Sequence, residues 1–276
     1  MAQTPARSAS PTAGGSGGGA EGLRERGFAR YGAEQLGIAV TGSAARDLAR
    51  LGEVCADLPP DPYAPGTRRF RRYSHAVYLP WTDELSWIPG IPDPLHGTVT
   101  ELSHGDHDPR SPRSRRALPG LPEASRANPL LLRLLHWDIE QVLRLKDLGR
   151  RPLWVGVHLI KLAVDQESQV AVSLPDCLHQ DGGSSGTFTF AHLISRTNVI
   201  GGQNLIATAD SAGLRPEHLP TTDVRAEFTL TDPLDGYAVH DHRVSHYVAP
   251  IRAGADPGPG ARSVAIVGIA PYVPQL

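Results

Sequence analysis

The sequence predicts a mainly β fold, either a closed barrel or two packed sheets, with helices on one side. Two observations support this prediction. Before residue 153 two stretches have their apolar residues at helical spacing, and after it the apolar residues recur with a period of two. About eight strands that follow two helices are typical of such an architecture. At 276 residues the chain is long enough for one domain of this kind, and it shows no internal repeat.

Two amphipathic helices are predicted in the first half of the chain. The first is expected to have Ser43 as its cap and to stop at Pro59-Pro60. The second begins at Asn128-Pro129, a capping residue followed by proline at the first helical position, and Gly149 is its expected stop. Each helix has one apolar face, formed by Leu48, Leu51 and Cys55 in the first and by Leu131, Leu135, Ile139 and Val142 in the second.

Between these helices lie an arginine-rich strand and a long irregular segment. Residues 67–79 alternate as a strand does and contain four arginines, which indicate either an anion-binding strand or, more commonly for charge runs, a solvated edge. Residues 81–125 are rich in Pro, Gly, His and Arg and have weak periodicity. Long loops are uncommon unless they are functional or mobile, so we expect this segment to be a lid over a site.

The second half of the chain is predicted to consist of strands separated by Gly, Pro or Asp turns. The expected strands are residues 153–160, 161–173, 187–194, 204–209, 226–231, 236–240, 245–251 and 263–273.

Composition narrows the class of partner. The chain has 27 Lys and Arg, 29 Asp and Glu, and a formal net charge of -2. Nucleic acids and anionic membranes usually require a clustered basic surface, so neither is expected as a partner. Mixed charge of this kind favours a small-molecule partner.

The N-terminus and the cysteines bear on location. Residues 1–22 are dominated by small residues, proline and glycine, and are expected to form a disordered tail before a single domain at 23–276. They lack the apolar centre of a signal peptide, and no run approaches the roughly 18 apolar residues of a membrane span. The two cysteines, Cys55 and Cys177, are far apart, which fits a reducing cytoplasm without a disulfide framework.

Three His-x-Asp pairs are possible metal-binding fragments. The pair His136 and Asp138 falls inside the second helix, where residues two apart point about 200° from each other and cannot share an ion. A second pair, at 104 and 106, lies in the proline-rich segment. The third pair, His179 and Asp181, leaves a predicted strand and enters a glycine turn that can aim both side chains inward. Cys177 is a less favoured ligand, because a lone buried thiol is usually inert.

A third ligand is expected from a later strand. Two histidines and one carboxylate form the facial triad of non-haem Fe(II) oxygenases, which leaves coordination positions free for substrates. Residues 240, 242 and 246 are histidines, and His246 is preferred because it lies in a strand-like run. His240 and His242 are interpreted as residues that flank a turn at Asp241. A zinc site that uses several of these histidines is an alternative.

Four segments together resemble the bacterial 2-oxoglutarate- and Fe(II)-dependent amino-acid hydroxylases related to L-isoleucine dioxygenase. They are Arg-Arg-Phe-Arg-Arg-Tyr-Ser at 68–74, His-Gln-Asp-Gly at 179–182, His-Leu-Ile-Ser-Arg-Thr-Asn-Val-Ile-Gly-Gly at 192–202 and His-Arg-Val-Ser-His-Tyr-Val-Ala-Pro-Ile at 242–251. The resemblance covers roughly residues 60–272. It implies a double-stranded β-helix, a cupin-like jelly roll, with Fe(II) held by His179, Asp181 and His246 at one mouth.

The same resemblance implies roles for other residues. In the family a basic residue on a strand after the last histidine pairs with the far carboxylate of 2-oxoglutarate, and Arg262, followed by Ser263, fits that place. Arg252 is the rival for this role. The planar fork of an arginine suits a carboxylate. The remaining candidates are substrate contacts, namely His192, Arg72 and Tyr73, and His192 is equally well interpreted as a hydrogen-bonded core histidine.

The expected activity is therefore hydroxylation of a free L-amino acid or a close derivative. As the resemblance implies, Fe(II), 2-oxoglutarate and O2 are the cofactor and cosubstrates, and succinate and CO2 are released with the product. Two alternatives remain at this point: a zinc-dependent hydrolase or lyase on a similar barrel, and a metal-free barrel that binds small molecules.

Overall fold

The computed structural model describes residues 19–103, 115–145, 151–182 and 186–273. Its helices in this part of the chain are α1 (Gly19–Arg26), α2 (Gly42–Ala56), α3 (Glu123–Arg126) and α4 (Pro129–Leu145). Its strands are β1 (Phe28–Tyr31), β2 (Arg69–Leu79), β3 (Glu84–Trp87), β4 (Ile91–Asp93), β5 (Gly97–Ser103), β6 (Arg115–Pro119), β7 (Leu153–Val164), β8 (Val170–Ala171), β9 (Phe188–Thr197), β10 (Val199–Gly201), β11 (Gln203–Thr208), β12 (Val224–Thr229), β13 (Gly236–His240), β14 (Val244–Val248), β15 (Ile251–Ala253) and β16 (Gly260–Pro271).

The strands form one large antiparallel sheet and three small ones. The large sheet has the order β1-β13-β9-β16-β7-β2-β3, and the small sheets are β10-β15-β8, β12-β11-β14 and β4-β5-β6. An apolar cluster joins the large sheet to the β12-β11-β14 sheet, since Leu193 and Val264 of the former pack with Ile206, Phe228 and Val244 of the latter. Two opposed antiparallel layers of this kind are a jelly roll, so the predicted fold class is confirmed.

Alternate residues of the large sheet face two different environments. Val155, Val157 and Leu159 of β7 pack against apolar residues of α2 and α4, and we call this side the helical face. Ile160 of β7 instead packs in the cluster shared with the small sheet, and we call that side the inner face. Successive side chains of a strand point to opposite faces. The parity of a residue, that is, whether it occupies an odd or an even position along its strand, therefore decides whether it packs against the helices or lines the interior of the roll.

The start of α4 was predicted correctly, and the start of α2 was not. Asn128 Oδ1 accepts a hydrogen bond from the backbone N–H of Leu131 at 3.1 Å, as a helix cap does. Its Nδ2 also donates to the carbonyl of Asp47 at 2.9 Å, which ties α4 to α2. Ser43 is not a cap, because α2 begins at Gly42 after Thr41, and Thr41 makes no side-chain capping bond. The predicted stop Gly149 lies outside the described residues.

The segment predicted as a long loop contains secondary structure. Strands β3 to β6 and helix α3 occupy much of residues 81–125. These strands are three to seven residues long and interrupted by Gly and Pro, so they show too few repeats to reveal a period of two. Residues 104–114, which include the pair His104 and Asp106, lie outside the described part.

Three predicted boundaries also change. Helix α1 begins at Gly19, so the expected tail cannot reach residue 22, and residues 1–18 lie outside the described part. The two strands predicted between 153 and 173 are one strand that ends at Val164, followed by the short β8. The predicted strand 245–251 is divided between β14 and β15.

Among the described helices, none is long and apolar enough to cross a membrane.

A fully buried hydrogen-bonded pair fastens α4 to the helical face. Asp138 of α4 and His192 of β9 are both 0% exposed, and His192 Nε2 lies 2.9 and 3.1 Å from the two carboxylate oxygens. Burial raises the pKa of Asp138, although His192 opposes that change. The ring of Tyr31 lies 5.4 Å from the His192 ring, between their centroids, and covers the pair from β1.

We expect Asp138→Ala to lower the free energy of unfolding by about 1–3 kcal/mol, because it leaves a buried imidazole N–H without its hydrogen-bond acceptor. Asp138→Asn is the matched control, since it retains a carbonyl that accepts a hydrogen bond from neutral His192 and should cost less. Urea denaturation measures both variants. A cost for Asp138→Ala within about 0.5 kcal/mol of zero, the range of ordinary surface substitutions, would show that the pair does not support the fold.

Candidate metal centre

Two histidines are brought together by backbone pairing. His246 lies on β14, and His179 forms an isolated antiparallel bridge with it. The N–H of each residue donates to the carbonyl of the other at 2.9 Å. Residues paired in this way project their side chains from the same face of a sheet, and the two ring centroids are 4.3 Å apart.

Asp181 completes a cluster of three ligand-type side chains. Its carboxylate oxygens lie 3.7 Å from His179 Nε2 and 3.3 Å from His246 Nε2. One ligand atom from each of the three residues lies within 4.8 Å of the others. Two imidazoles and one carboxylate are the donor set of the facial triad, so the residues present fit a non-haem Fe(II) ion.

The ring of His179 is held in a definite orientation. Its Nδ1 lies 2.9 Å from the carbonyl of Cys177, which can only accept a hydrogen bond, so Nδ1 is the protonated nitrogen. Nε2 is then left with its lone pair directed at the cluster. Burial, followed by the neighbouring His246, lowers the pKa of His179 to about 4, which keeps the imidazole neutral at physiological pH. Cys177 contributes its carbonyl, and its buried thiol is not part of the cluster.

Asp241 is a buried carboxylate beside the cluster. It is 0% exposed, and its Oδ2 accepts a hydrogen bond from the Thr189 hydroxyl at 3.0 Å. The carboxylate also accepts the backbone N–H of Asp181. Its Oδ1 lies 3.8 Å from His246 Nδ1, and neither atom has a hydrogen-bond partner. Asp241 is therefore placed to orient both Asp181 and His246.

The charges of Asp181, His246 and Asp241 shift one another's pKa values. Burial alone would raise the pKa of Asp181, but His246 and then His179 outweigh it, so the pKa is lowered and the carboxylate is ionised. For His246, burial is likewise outweighed, by Asp181 and Asp241, and its pKa is raised. Burial, followed by the charge of Asp181, raises the pKa of Asp241 to about 8. Ionised Asp181 is therefore the negative charge that the cluster offers to a cation.

The turn after Asp181 requires a glycine. A Cβ added to Gly182 would lie 2.0 Å from the Thr187 side-chain oxygen, which is closer than atoms can approach. The carbonyl of Thr187 accepts the N–H of Asp241 at 3.1 Å. Gly182 thus lets the chain pass close enough to Thr187 for Asp181 to meet the Asp241 carboxylate. Residues 183–185 of this turn lie outside the described part.

Arg262 lies on the inner face of β16 without an acidic partner. It is 4% exposed, and it is in register with Arg196 of β9, which donates to the carbonyls of Val199 and Gly201 at 3.1 and 2.9 Å. Among the described residues Arg262 makes no ion pair, and its Nε has no hydrogen-bond partner. Burial is the main cause that lowers its pKa to about 10. A buried guanidinium without an acidic partner among the described residues can bind an anion.

Gly202 makes room for the two arginines. A Cβ at this position would lie 3.3 Å both from Arg196 Nη1 and from Arg262 Cδ, and its φ of +70° is itself unfavourable for other residues.

Four predicted contacts do not reach the inner face. His192 points to the helical face, where it is paired with Asp138. Ser263 is buried on that face beside the Cys55 thiol, with which it forms a hydrogen bond. Arg72, at a helical-face position of β2, donates to the carbonyl of Gly120 at 2.8 Å. Arg252 is exposed on β15. The alternation of side chains along a strand explains the placement of His192, Ser263 and Arg72, since each is adjacent in sequence to a residue that faces inward. For His192 the placement agrees with the alternative interpretation as a hydrogen-bonded core histidine.

Other histidines and Tyr73 are also placed by the structure. Tyr73 is buried on the inner face, where its ring stacks on that of His158 with centroids 4.4 Å apart. His240 stacks on Phe188 at 4.4 Å on the helical face, and neither it nor His242 joins the triad.

Sequence reasoning missed four charged or polar residues on the triad side: Asp241, His158, Arg69 and Arg71. Side chains along β2 alternate between two faces, which places Arg69, Arg71 and Tyr73 on one face and Arg72 on the other. This alternation in the sequence could have identified Arg69 and Arg71 as candidates.

Comparisons with known proteins agree with this geometry. A family model for 2OG-Fe dioxygenases matches residues 52–268, which is most of the chain. A search of curated protein sequences finds no match.

Two solved structures show a similar fold. IDO from Bacillus thuringiensis is 16% identical, with a TM-score of 0.66 over 92% of this chain and 98% of that chain. A bsmA homolog from Methylobium petroleophilum PM1 is 19% identical, with a TM-score of 0.73 over 94% of each chain.

The extent of the family match, the jelly roll and the convergence of two histidines and an aspartate lead to one assignment. The chain belongs to the 2OG-Fe dioxygenase family, the non-haem iron oxygenases that use Fe(II), 2-oxoglutarate and O2.

Proposed function

We propose that this protein hydroxylates an unactivated C–H bond of a free L-amino acid or a close derivative. Fe(II) is bound by His179, Asp181 and His246, and Arg262 binds the far carboxylate of 2-oxoglutarate. The observation that supports the metal assignment best is the approach of the three ligand atoms to within 4.8 Å. The amino-acid substrate is supported by the four sequence segments that resemble amino-acid hydroxylases. Family membership argues against the zinc hydrolase and the metal-free barrel.

Bound Fe(II) supplies the oxidation by O2, in which one oxygen atom enters the substrate and the other enters succinate as 2-oxoglutarate loses CO2. The protein residues supply position and charge. Neutral His179 presents Nε2 because the Cys177 carbonyl holds its Nδ1, and ionised Asp181 contributes negative charge. Arg262 fixes the orientation of the cosubstrate with a planar fork. The buried inner face limits the access of water to the reacting carbon.

Purified protein reconstituted with Fe(II) should form succinate from 2-oxoglutarate, and at least one member of an amino-acid panel should gain one oxygen by mass spectrometry. Asp181→Ala should reduce turnover by about a thousandfold or more, because it removes the anionic ligand. It should also abolish the weak visible band of the anaerobic complex with Fe(II) and 2-oxoglutarate. Glu227→Ala, which removes an exposed carboxylate on β12, is the control. Absence of succinate from well-folded protein with every panel member would contradict the proposal.

Arg262→Gln should raise the KM for 2-oxoglutarate at least about 30-fold, the effect of losing a buried charge-assisted contact worth roughly 2 kcal/mol. Arg252→Gln should leave this KM unchanged within about twofold, because Arg252 is exposed on β15. Initial rates of succinate formation at varied 2-oxoglutarate concentration measure both. A larger effect of Arg252→Gln than of Arg262→Gln would reverse the assignment of the cosubstrate anchor.

Asp241→Asn should weaken Co(II) binding about 10- to 100-fold, the usual cost of losing a residue that orients a metal ligand. The reason is that Asp241 contacts the Asp181 backbone and faces the Nδ1 atom of His246. Equilibrium dialysis measures affinity, and the visible spectrum of bound Co(II) reports ligand geometry. The control is Asp235→Asn, which changes a carboxylate that caps a turn at Thr231 and Asp232. Equal Co(II) affinity of Asp241→Asn and wild type would remove Asp241 from this role.

A further inference from the structure

A second cluster of buried arginines lies on the inner face, on β2. Arg69 and Arg71 are 8% and 3% exposed. The Nη1 atoms of both lie 3.5 Å from one oxygen, Oδ2, of Asp61, whose side chain is 1% exposed. Solvated arginines at a sheet edge were the commoner expectation for this strand, and burial of these two excludes it.

The cluster has more positive than negative charge. Asp61 is the one carboxylate that pairs with Arg69 and Arg71 among the described residues, and its other oxygen already accepts the N–H of Tyr63 at 3.0 Å. Burial, followed by the charge of Arg69, lowers the pKa of Arg71 to about 9, so the charge is held at an electrostatic cost. Buried charge is normally compensated by an opposite charge, and here compensation from the described residues is incomplete.

The unused donors of Arg71 form one edge of its guanidinium. Nη1 is directed at Asp61, whereas Nε and Nη2 are buried and have no hydrogen-bond partner. Nε and Nη2 are the pair of donors on the side of the guanidinium remote from Cδ, and together they match the two oxygens of a carboxylate. Arg69 Nε is also without a partner. The cluster therefore presents a complete two-donor fork rather than scattered unsatisfied atoms.

The cluster is close to the metal centre and distinct from the Arg262 site. Arg69 interacts electrostatically with both Asp181 and His179. The strand register aligns Arg69 with Leu162 of β7 and Leu162 with Arg262 of β16. Arg69 and Arg262 are thus two strands apart, roughly 10 Å between their backbones. The β2 cluster and Arg262 therefore lie on different strands, and Arg262 is not a partner of the Asp61 carboxylate that joins Arg69 and Arg71. This separation favours the β2 cluster as the site of a second anion.

We propose that the Nε/Nη2 edge of Arg71, assisted by Arg69, binds a carboxylate of the primary substrate. This inference rests on the proposed function and makes it more specific: the substrate is an acid with a free carboxylate, and the corresponding amide is excluded. Asp61 bridges the two guanidiniums through one oxygen and so orients them. The aromatic pair Tyr73 and His158 lies on the same face next to Arg71, where it can contact the rest of the substrate.

The test compares each of the 20 protein L-amino acids with its primary amide. Thermal shifts are measured with Co(II) and 2-oxoglutarate present, conditions without turnover, and succinate formation is measured with Fe(II). An acid should stabilise the wild-type protein and stimulate succinate formation, and its amide should do neither. Arg71→Lys preserves a cation beside Asp61 but lacks the fork, so it should fold and raise the KM for the acid at least 30-fold. The KM for 2-oxoglutarate should change less than twofold.

Arg225→Gln, which changes an exposed arginine on β12, is the control for loss of positive charge. The inference is overturned if no acid stabilises wild type more than its amide does. It is also overturned if Arg71→Lys raises the KM for 2-oxoglutarate as much as that for the acid, since the cluster would then serve the cosubstrate. Failure of the proposed function gives a different result, in which wild type forms no succinate with any addition.

Discussion

The site depends on one backbone interaction, the reciprocal pair of hydrogen bonds between His179 and His246. Two residues that exchange both N–H···O=C bonds have their Cα atoms about 5.5 Å apart and their side chains on one side. Two imidazoles held in this way need only a third ligand from a nearby residue, and Asp181 follows His179 by two positions. Strand β14 is in turn paired with β11, so the position of His246 is fixed by the sheet and not by a loop.

Parity within the large sheet separates the residues that support the fold from those that face the triad. The pair of Asp138 and His192 fixes α4 to the helical face, whereas Tyr73, Arg71 and Arg262 line the inner face. A bulge alters this parity in β9, because the register with β16 shifts between Ser263 and Val264. The shift allows Leu193 and Arg196, three residues apart, to share the inner face. Without it Arg196 would point toward the helices, away from Arg262.

Those features of the fold and the site that depend on short sequence segments could be predicted from the sequence. The fold class, the α4 cap at Asn128 and the approach of His179, Asp181 and His246 were all predictable, because each depends on a local pattern or a recognisable motif. The position of Arg72 was not, and for His192 the sequence left two interpretations open, since both depend on which face of a sheet meets the helices. Asp61 and Asp241 act through contacts across the fold, and a single sequence carries no signal for such pairs. Strands β3 to β6 were missed because they are too short to show a period.

The buried arginines of the inner face also couple the stability of the protein to its ligands. A folded state that contains uncompensated guanidiniums is less stable than one in which acids neutralise them, whereas the unfolded chain exposes the same arginines to water at little cost. Ligands that bind only the folded state stabilise it by RT ln(1 + [L]/Kd), about 2.7 kcal/mol at a hundredfold excess over Kd. Carboxylic acids bound at these arginines would therefore act as folding ligands, and the free energy of unfolding would rise with their concentration.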